Sequence, residues 1–323
     1  MRTNSTSPFS RPALTPDDVA RQLRHLPSAP RVLPRLKQLL SDGNSAMHEV
    51  VALIRLDPGI AARVLHIGNS AYFSHGLRCY TVDEAVNRVG YDQVYELVAS
   101  AVASEVLVRP LHTYGLEADE LWRRSIACAL AAESLATRLS VDRDIAYTVG
   151  LLHSLGMVAI DAWAFQHQPD LRLVSRGLPY EAGEAERAAL GFHQAEAGAA
   201  LLRSWDFPAV MSEPIRWQYL PRGTVAHFTG SALLHVAKWL RSAALRADHP
   251  PHAGAIHGGR PPLPDASILQ ALNLTPSRLE FLAEEVRARL SSVHSLLETT
   301  AAAVVSFPGG TRQVADSGIA RVG

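Results

Sequence analysis

In "TVGLLHSLGMVAI", residues 148–160, an imidazole and a hydroxyl, His153 and Ser154, interrupt a run that carries no charged side chain. Histidine is the side chain best suited to hold a metal or move a proton near neutrality, and an apolar setting sharpens both uses. The bland alternative is a hydrogen-bonded core histidine, and that is the reading adopted for a single buried imidazole. A second group, His249, His252 and His257 in "HPPHAGAIH", could catch a transition metal. It sits in a segment so rich in Pro and Gly that ordering it would cost entropy, so no specific site is expected there. Arg63 and His66 in "IAARVLHIGNSAYF" have the look of a groove-reading helix, but a DNA reader needs a basic face and this helix has none. Cys128 in "SIACALAAE" lacks an identifiable base beside it and reads as a small core hydrophobe.

The chain that must position these groups has 323 residues, 47% hydrophobic and 19% charged, with 31 basic and 31 acidic side chains. That is the balance of a globular protein with a substantial core. Zero net charge provides no general electrostatic hold on nucleic acid or an anionic membrane, so neither is expected as a partner. The two cysteines, Cys79 and Cys128, form no CxxC pair, which points to a reducing cytoplasm and away from disulfides or thiolate zinc. No signal peptide is evident, and no stretch reaches the roughly 18 apolar residues of a membrane span.

Helical periodicity with start and stop signals recurs throughout, and no convincing two-residue alternation interrupts it, so the fold class is all-α. Thr15 or Asp17 caps a first helix to about Arg24. "VLPRLKQLLSDG" and "AMHEVVALIRLDPG" follow, and Pro58 opens a helix that stops near Gly68 and Asn69. Further helices are predicted at about 82–89, 91–107, 117–139, 143–165, 179–190, 193–204, 208–219, 225–246 and 275–304. The expected organisation is a flexible tail over 1–14, a body over 15–305 and a flexible tail over 306–323. The body divides into an N-terminal helical lobe of about 15–110 and a second lobe of about 111–305, with a Pro/Gly-rich loop at 248–265. Asn69 and Ser70 are short polar residues suited to a turn, and Tyr72 and Phe73 either close over the core or present a partner-binding patch.

Several segments, taken together and in order, resemble the bacterial HDOD domain, a branch related to the HD superfamily of metal-dependent phosphohydrolases. They are "LPSAPRVLPRLKQLL", "LIRLDPGIAARVLHIGNSAYF", "TVDEAVNRVGYDQVYELV", "LWRRSIACALAAESLA", "AYTVGLLHSLGMVAI", "AALGFHQAEAGAALLRSWDFP" and "PIRWQYLP". The resemblance implies a compact fold of two packed helical lobes and, in the superfamily, a metal held by histidines and a His-Asp pair. Such a metal acidifies bound water and neutralises charge growing on phosphate.

This chain departs from that ligand set. Arg124 stands where the resemblance leads to a histidine, and a guanidinium has no lone pair to offer a cation. His153 keeps the histidine of the pair, but Ser154 replaces its aspartate. Gln194 aligns with a further histidine, unless the alignment slips by one onto His193. Gln218 and Tyr219 occupy the place of a histidine pair. One imidazole is too few for a site that takes three or four protein ligands, so no metal and no cofactor are expected.

The function implied is a non-catalytic regulatory or adaptor module binding other signalling proteins, in some relatives alongside cyclic di-nucleotide pathways. Its partner surface would be Arg63, Asn69, Tyr72 and Phe73. A sharper use of the degenerate pocket is to bind a small anion, with Arg124 replacing the metal's charge, although Arg124 also reads as a surface residue pairing with Glu120. The alternative function is a phosphohydrolase with an atypical ligand set of His153, His193, Glu196 and His227 or His235.

Overall fold

The computed structural model describes residues 14–23, 46–74, 76–90, 110–173, 182–245 and 262–305, and also residues 32, 35, 36, 39, 93 and 94. The tails over 1–13 and 306–323, most of the loop 248–265 and nearly all of the helix predicted over 91–107 lie outside the described residues. Among those described, all regular structure is helical apart from one isolated antiparallel bridge between Leu111 and Leu116. The fold is all-α and HD-like.

The N-terminal helices start where their caps place them. Thr15 accepts from the Asp18 backbone N–H and opens α1 (Pro16–Gln22). Helix α2 (Met47–Ile54) ends at Arg55, and the Asp57 carboxylate takes the Ile60 N–H at 2.9 Å to start α3 (Pro58–Asn69) with Pro58 at its first turn. A short turn α4 (Ala71–Ser74) follows, then α5 (Val82–Val89), capped by Thr81 and Glu84 and ended by Gly90 at φ +87°. Val32, Leu36 and Leu39 are helical and buried at the spacing of one face.

The centre of the molecule is α6 (Ala118–Leu139), against which pack α7 (Arg143–Leu152), α12 (Phe228–Leu245) and α14 (Pro276–Val305). Helix α8 (Leu155–His167) lies on α10 (Gln194–Ser204), which in turn meets α11 (Ala209–Arg216). Helices α9 (Ala182–Leu190) and α13 (Ala266–Ala271) complete the described set. Helix α1 packs on α8 and α10, far along the chain from its own neighbours. One continuous cluster of buried apolar side chains joins all of this.

Arg55 ties α2 to the centre. Its guanidinium reaches Asp144 at 3.1 Å, Asp83 at 3.4 Å and Glu133 at 3.8 Å and lies over the Tyr147 ring, while the Tyr147 hydroxyl donates to the Arg55 carbonyl. Glu133 also pairs with Arg289, which brings α14 into the same network.

The sequence reading places His153 midway along one helix over 143–165. The chain instead breaks there into α7 and α8, with Ser154 at φ −105° and ψ 7°. The pair from Arg143 to His167 is long and apolar enough to cross a membrane, but its most apolar window is 83% buried inside the protein. Its apolar surface is therefore core surface.

Two glycines set how closely these helices approach. A Cβ on Gly150 would lie 2.8 Å from the Ala129 Cα of α6, and one on Gly156 would lie 1.8 Å from the Gln194 carbonyl oxygen. Both contacts are with backbone, which cannot swing aside, and the second is the closer. Gly156→Ala is expected to lower stability by about 2–4 kcal/mol, measured by urea unfolding. A loss under about 0.5 kcal/mol would mean that α8 and α10 are not held this close.

Candidate functional site

The break between α7 and α8 is where His153 works. Its ring Nδ1 lies 2.7 Å from the Gly150 carbonyl oxygen, one of the carbonyls a helix C-terminus leaves without a partner. On the opposite side of the ring, Arg241 Nη1 lies 2.8 Å from Nε2. A guanidinium only donates, so Nε2 is the acceptor, and Nδ1 must carry the proton it gives to Gly150. His153 is thus a neutral imidazole with both nitrogens engaged. Burial is the main reason its pKa lies well below the usual 6.5, and the cations of Arg241 and Lys238 push it further down. The Ser154 hydroxyl turns to Ser125 Oγ at 3.1 Å.

Around this ring is a buried polar layer built from α9, α10, the end of α11 and α12. Gln218 Nε2 donates to the carbonyls of Ile215, at 2.9 Å, and His153, at 3.1 Å, and the Gln218 carbonyl accepts from His235 Nδ1 at 2.9 Å. Burial holds His235 down to about 4. Gln194 Nε2 donates to the Tyr219 hydroxyl at 3.0 Å, and the Tyr219 ring faces Lys238 Nζ at 3.4 Å from its centroid. Lys238 is only 2% exposed, and burial drives its pKa well down. Glu186, wholly buried, accepts from Tyr114 Oη and the Gln194 backbone N–H, and burial lifts its carboxyl to about 7.

The structure brings His153, Ser154, Gln194, Gln218 and Tyr219 together. Arg124 does not serve as the site's cation. It is half-exposed and pairs with Glu120 one turn earlier, and its effect on His153 is the smallest of the charges acting there. The cations in the layer are Arg241 and Lys238, which sequence reasoning missed. The available signal was their spacing: on α12, positions 235, 238 and 241 are one turn apart, so a His, a Lys and an Arg share a face that also carries Leu234 and Ala237.

His193 stands at the N-cap of α10, its backbone N–H on Glu196 and its ring against the Arg187 guanidinium. Of the surface candidates, Tyr72 is 80% exposed with the Phe73 ring edge-on at 4.8 Å, whereas Arg63 is half-buried. Asn69 is not on the surface at all. Its amide bonds both the N–H and the carbonyl of Cys79, at 2.7 and 3.0 Å, and this pins α3 to the chain entering α5. Cys128 is core, its thiol pushed up to about 11 by burial.

These residues do not fit a divalent metal. The lone pair of His153 is already used by a cation, two further ligand positions are neutral amides, and Lys238 and Arg241 would repel a dication. Among the described residues, no three His, Cys, Asp or Glu side chains are grouped to hold one.

An all-helical HD-like scaffold whose histidine is occupied by arginine defines the class. Residues 26–221 match the HDOD domain, and the chain belongs to that family. Lys238 and Arg241 lie beyond the matched segment. The chain is 27% identical over 209 residues to an uncharacterized protein of Treponema pallidum (strain Nichols), a match covering 62% of this chain and 39% of that protein. The chain thus spans about two fifths of the length of this curated relative. Among solved structures it is similar to the MmoQ response regulator from Methylococcus capsulatus strain Bath, with a TM-score of 0.62 and 20% identity over 80% of this chain and 98% of that one. It is also similar to a virulence factor from Campylobacter jejuni, with a TM-score of 0.58 and 16% identity over 85% of this chain and all of that one. At such identities the likeness is one of fold.

The depressed pKa of His153 carries a sign. The unfolded chain takes up the proton first, so the stability associated with His153 is complete above about 6.5 and is lost as pH falls below that value toward the folded pKa. Arg241→Met is expected to raise the His153 pKa while burial keeps it below 6.5. Following the ring nitrogens by NMR on acidification checks this, and an unchanged titration would show that Arg241 does not act on Nε2.

Proposed function

We propose that this HDOD chain is a non-catalytic regulatory module that acts by binding other proteins in bacterial signal transduction. The observation that carries the reading is the 2.8 Å contact of Arg241 with His153 Nε2. A metal-activated water needs an imidazole lone pair and a carboxylate, and here the lone pair receives a guanidinium while Ser154 supplies a hydroxyl bonded to Ser125. The scaffold meanwhile is kept, with its helices joined through one core. A relative in fold named as a response regulator is in keeping with a signalling role. A connection to cyclic di-nucleotide pathways rests on the family resemblance alone. Two buried free cysteines support a reducing compartment such as the cytoplasm.

The partner surface is the patch around Tyr72, where an exposed aromatic supported by Phe73 sits near exposed Leu77. Aromatics so placed are enriched among residues that dominate binding energy.

Two experiments bear on this. Elemental analysis of tag-free protein is expected to find no stoichiometric metal, and a generic phosphodiester assay with added Mn²⁺ no turnover. A bound metal together with turnover lost in His153→Ala would establish the phosphohydrolase alternative. In a pull-down from the native cell, Tyr72→Ala is expected to weaken capture of a reproducible partner by about tenfold or more, with the melting temperature unchanged. A partner indifferent to Tyr72 would remove that surface from the proposal.

A further inference from the structure

A surface helix is ordinarily held by an apolar stripe, and α9 is not. Its buried positions are Gly183, Glu186 and Leu190, one turn apart on a single face, while Glu184, Arg187, Ala188 and Ala189 are exposed. A carboxyl, wholly buried, thus occupies the middle of the face, and among the described residues of α9 Leu190 is the one large apolar side chain beneath it. Glu186 Oε1 accepts from Tyr114 Oη at 2.9 Å. Its Oε2 accepts at 2.8 Å from the Gln194 N–H, which the first turn of α10 leaves without an intrahelical partner. One side chain therefore ties α9 both to the turn over 111–116 and to the start of α10. Gly183 lies on the His193 ring, where a Cβ would stand 2.6 Å from Cδ2. Arg187 also reaches His193 and Glu196, but its side chain is 59% exposed, and pairs of that kind hold little.

The helix ends on Gly191, whose φ of +84° suits glycine, and α10 is capped by His193 two residues further on. A two-turn lever is thus joined to α10 through a glycine. The groups facing Glu186 decide what its charge does. The Gln194 N–H on α10, the Tyr114 hydroxyl in the turn and Lys238 on α12 favour the carboxylate, although Lys238 Nζ makes no hydrogen bond to it; Glu196 on α10 disfavours it. Tyr219, within its electrostatic reach, is neutral. Burial outweighs the favourable groups and lifts the Glu186 pKa to about 7. A neutral carboxyl fits the same contacts, since its carbonyl oxygen can take the Gln194 N–H while its hydroxyl and that of Tyr114 bond in either direction.

We propose that α9 is a proton-governed cover over the Tyr114–Gln194 edge of the polar layer, closed while Glu186 holds its proton and swinging about Gly191 once the proton is lost. Opening frees the Gln194 N–H and the Tyr114 hydroxyl to water and gives solvent a way toward Tyr219 and Lys238. An exposed glutamate titrates near 4.5 and the docked one near 7, so the docking that Glu186 contributes is complete below about 4.5 and is lost as pH rises through about 7. His153, His193, His235 and Lys238 have lowered pKa values and act in the opposite sense.

The test is amide hydrogen exchange of the full chain by NMR, each rate divided by its intrinsic value at that pH, with the Glu186 carboxyl carbon followed in the same samples. Between about pH 5 and about pH 8 the protection of the Gln194 amide is expected to fall by at least about tenfold, while that of Leu202 inside α10 stays level. The Glu186 signal is expected to titrate near 7. Glu186→Gln, an uncharged side chain of the same shape, is expected to fold by circular dichroism and to show Gln194 protection that no longer falls with pH. Tyr114→Phe removes a bond that favours the carboxylate and is a second variant should the first not fold; it is expected to move the Glu186 midpoint and the fall in protection upward together. A midpoint near 4.5, level protection at Gln194 in the unsubstituted chain, a fall shared by Leu202, the same fall in folded Glu186→Gln, or a fall that stays put in Tyr114→Phe would each overturn the cover.

Discussion

A neutral imidazole has one lone pair, and in His153 that lone pair faces the guanidinium of Arg241 while the ring N–H closes the end of α7 on the Gly150 carbonyl. The contact at Nε2 requires the neutral form, since protonation would place a donor against a donor there. Burial and the neighbouring cations push the pKa in the same direction. The ring is consequently fixed in tautomer and orientation, and the polar layer is assembled from that fixed point. Gln218 bonds the His153 backbone, His235 bonds Gln218, and Tyr219, next in sequence, places its ring under Lys238 and its hydroxyl on Gln194.

That arrangement depends on close backbone approach around it. Gly150 lets α7 lie against α6, and Gly156 lets α8 lie against the start of α10, where Gln194 sits. The two glycines bracket the His153–Ser154 break, so α6 and α10 are both held within side-chain reach of it. On the far side of α6 and α7, the Arg55 and Glu133 network couples α2, α5 and α14 to the same central pair. These contacts join the N-terminal helices to α7, at whose C-terminal end stands His153.

The helices themselves were legible because their signals are local. Thr15, Asp57, Thr81 and Asp142 each accept a backbone N–H at the start of a helix, and the apolar spacing of α5, α6 and α12 shows which faces are buried. The break at His153 was not legible. No Pro marks it, the residues on either side are apolar, and the ring that sits there bonds a residue 88 positions away. The site was legible by half: His153, Ser154, Gln194, Gln218 and Tyr219 fall together, but the cation was sought at Arg124, within one of the segments that carry the family resemblance, and found on α12. Charged residues in an otherwise apolar helix read as its solvent face, and only the spacing of His235, Lys238 and Arg241 on a face shared with Leu234 and Ala237 hints that this face is turned inward. Asn69 misled for the same reason, since a short polar residue at a helix end gives no sign that its partner, Cys79, lies inside.

Burying Lys238 and Arg241 is a poor way to stabilise a helix bundle. An apolar residue of similar volume at either position would remove a desolvation cost of several kcal/mol per ion, and the rest of α12 shows that Leu, Val and Ala pack well there. A core selected only for stability would not arrive at this arrangement. In HD-like geometry the region between α6, α8, α10 and α12 has to be polar to hold a metal, and a metal brings its own positive charge. Here the positions that resemble ligands hold Arg, Ser and Gln, and the basic side chains of the layer come from two adjacent turns of α12, where burial drives the Lys238 pKa well down.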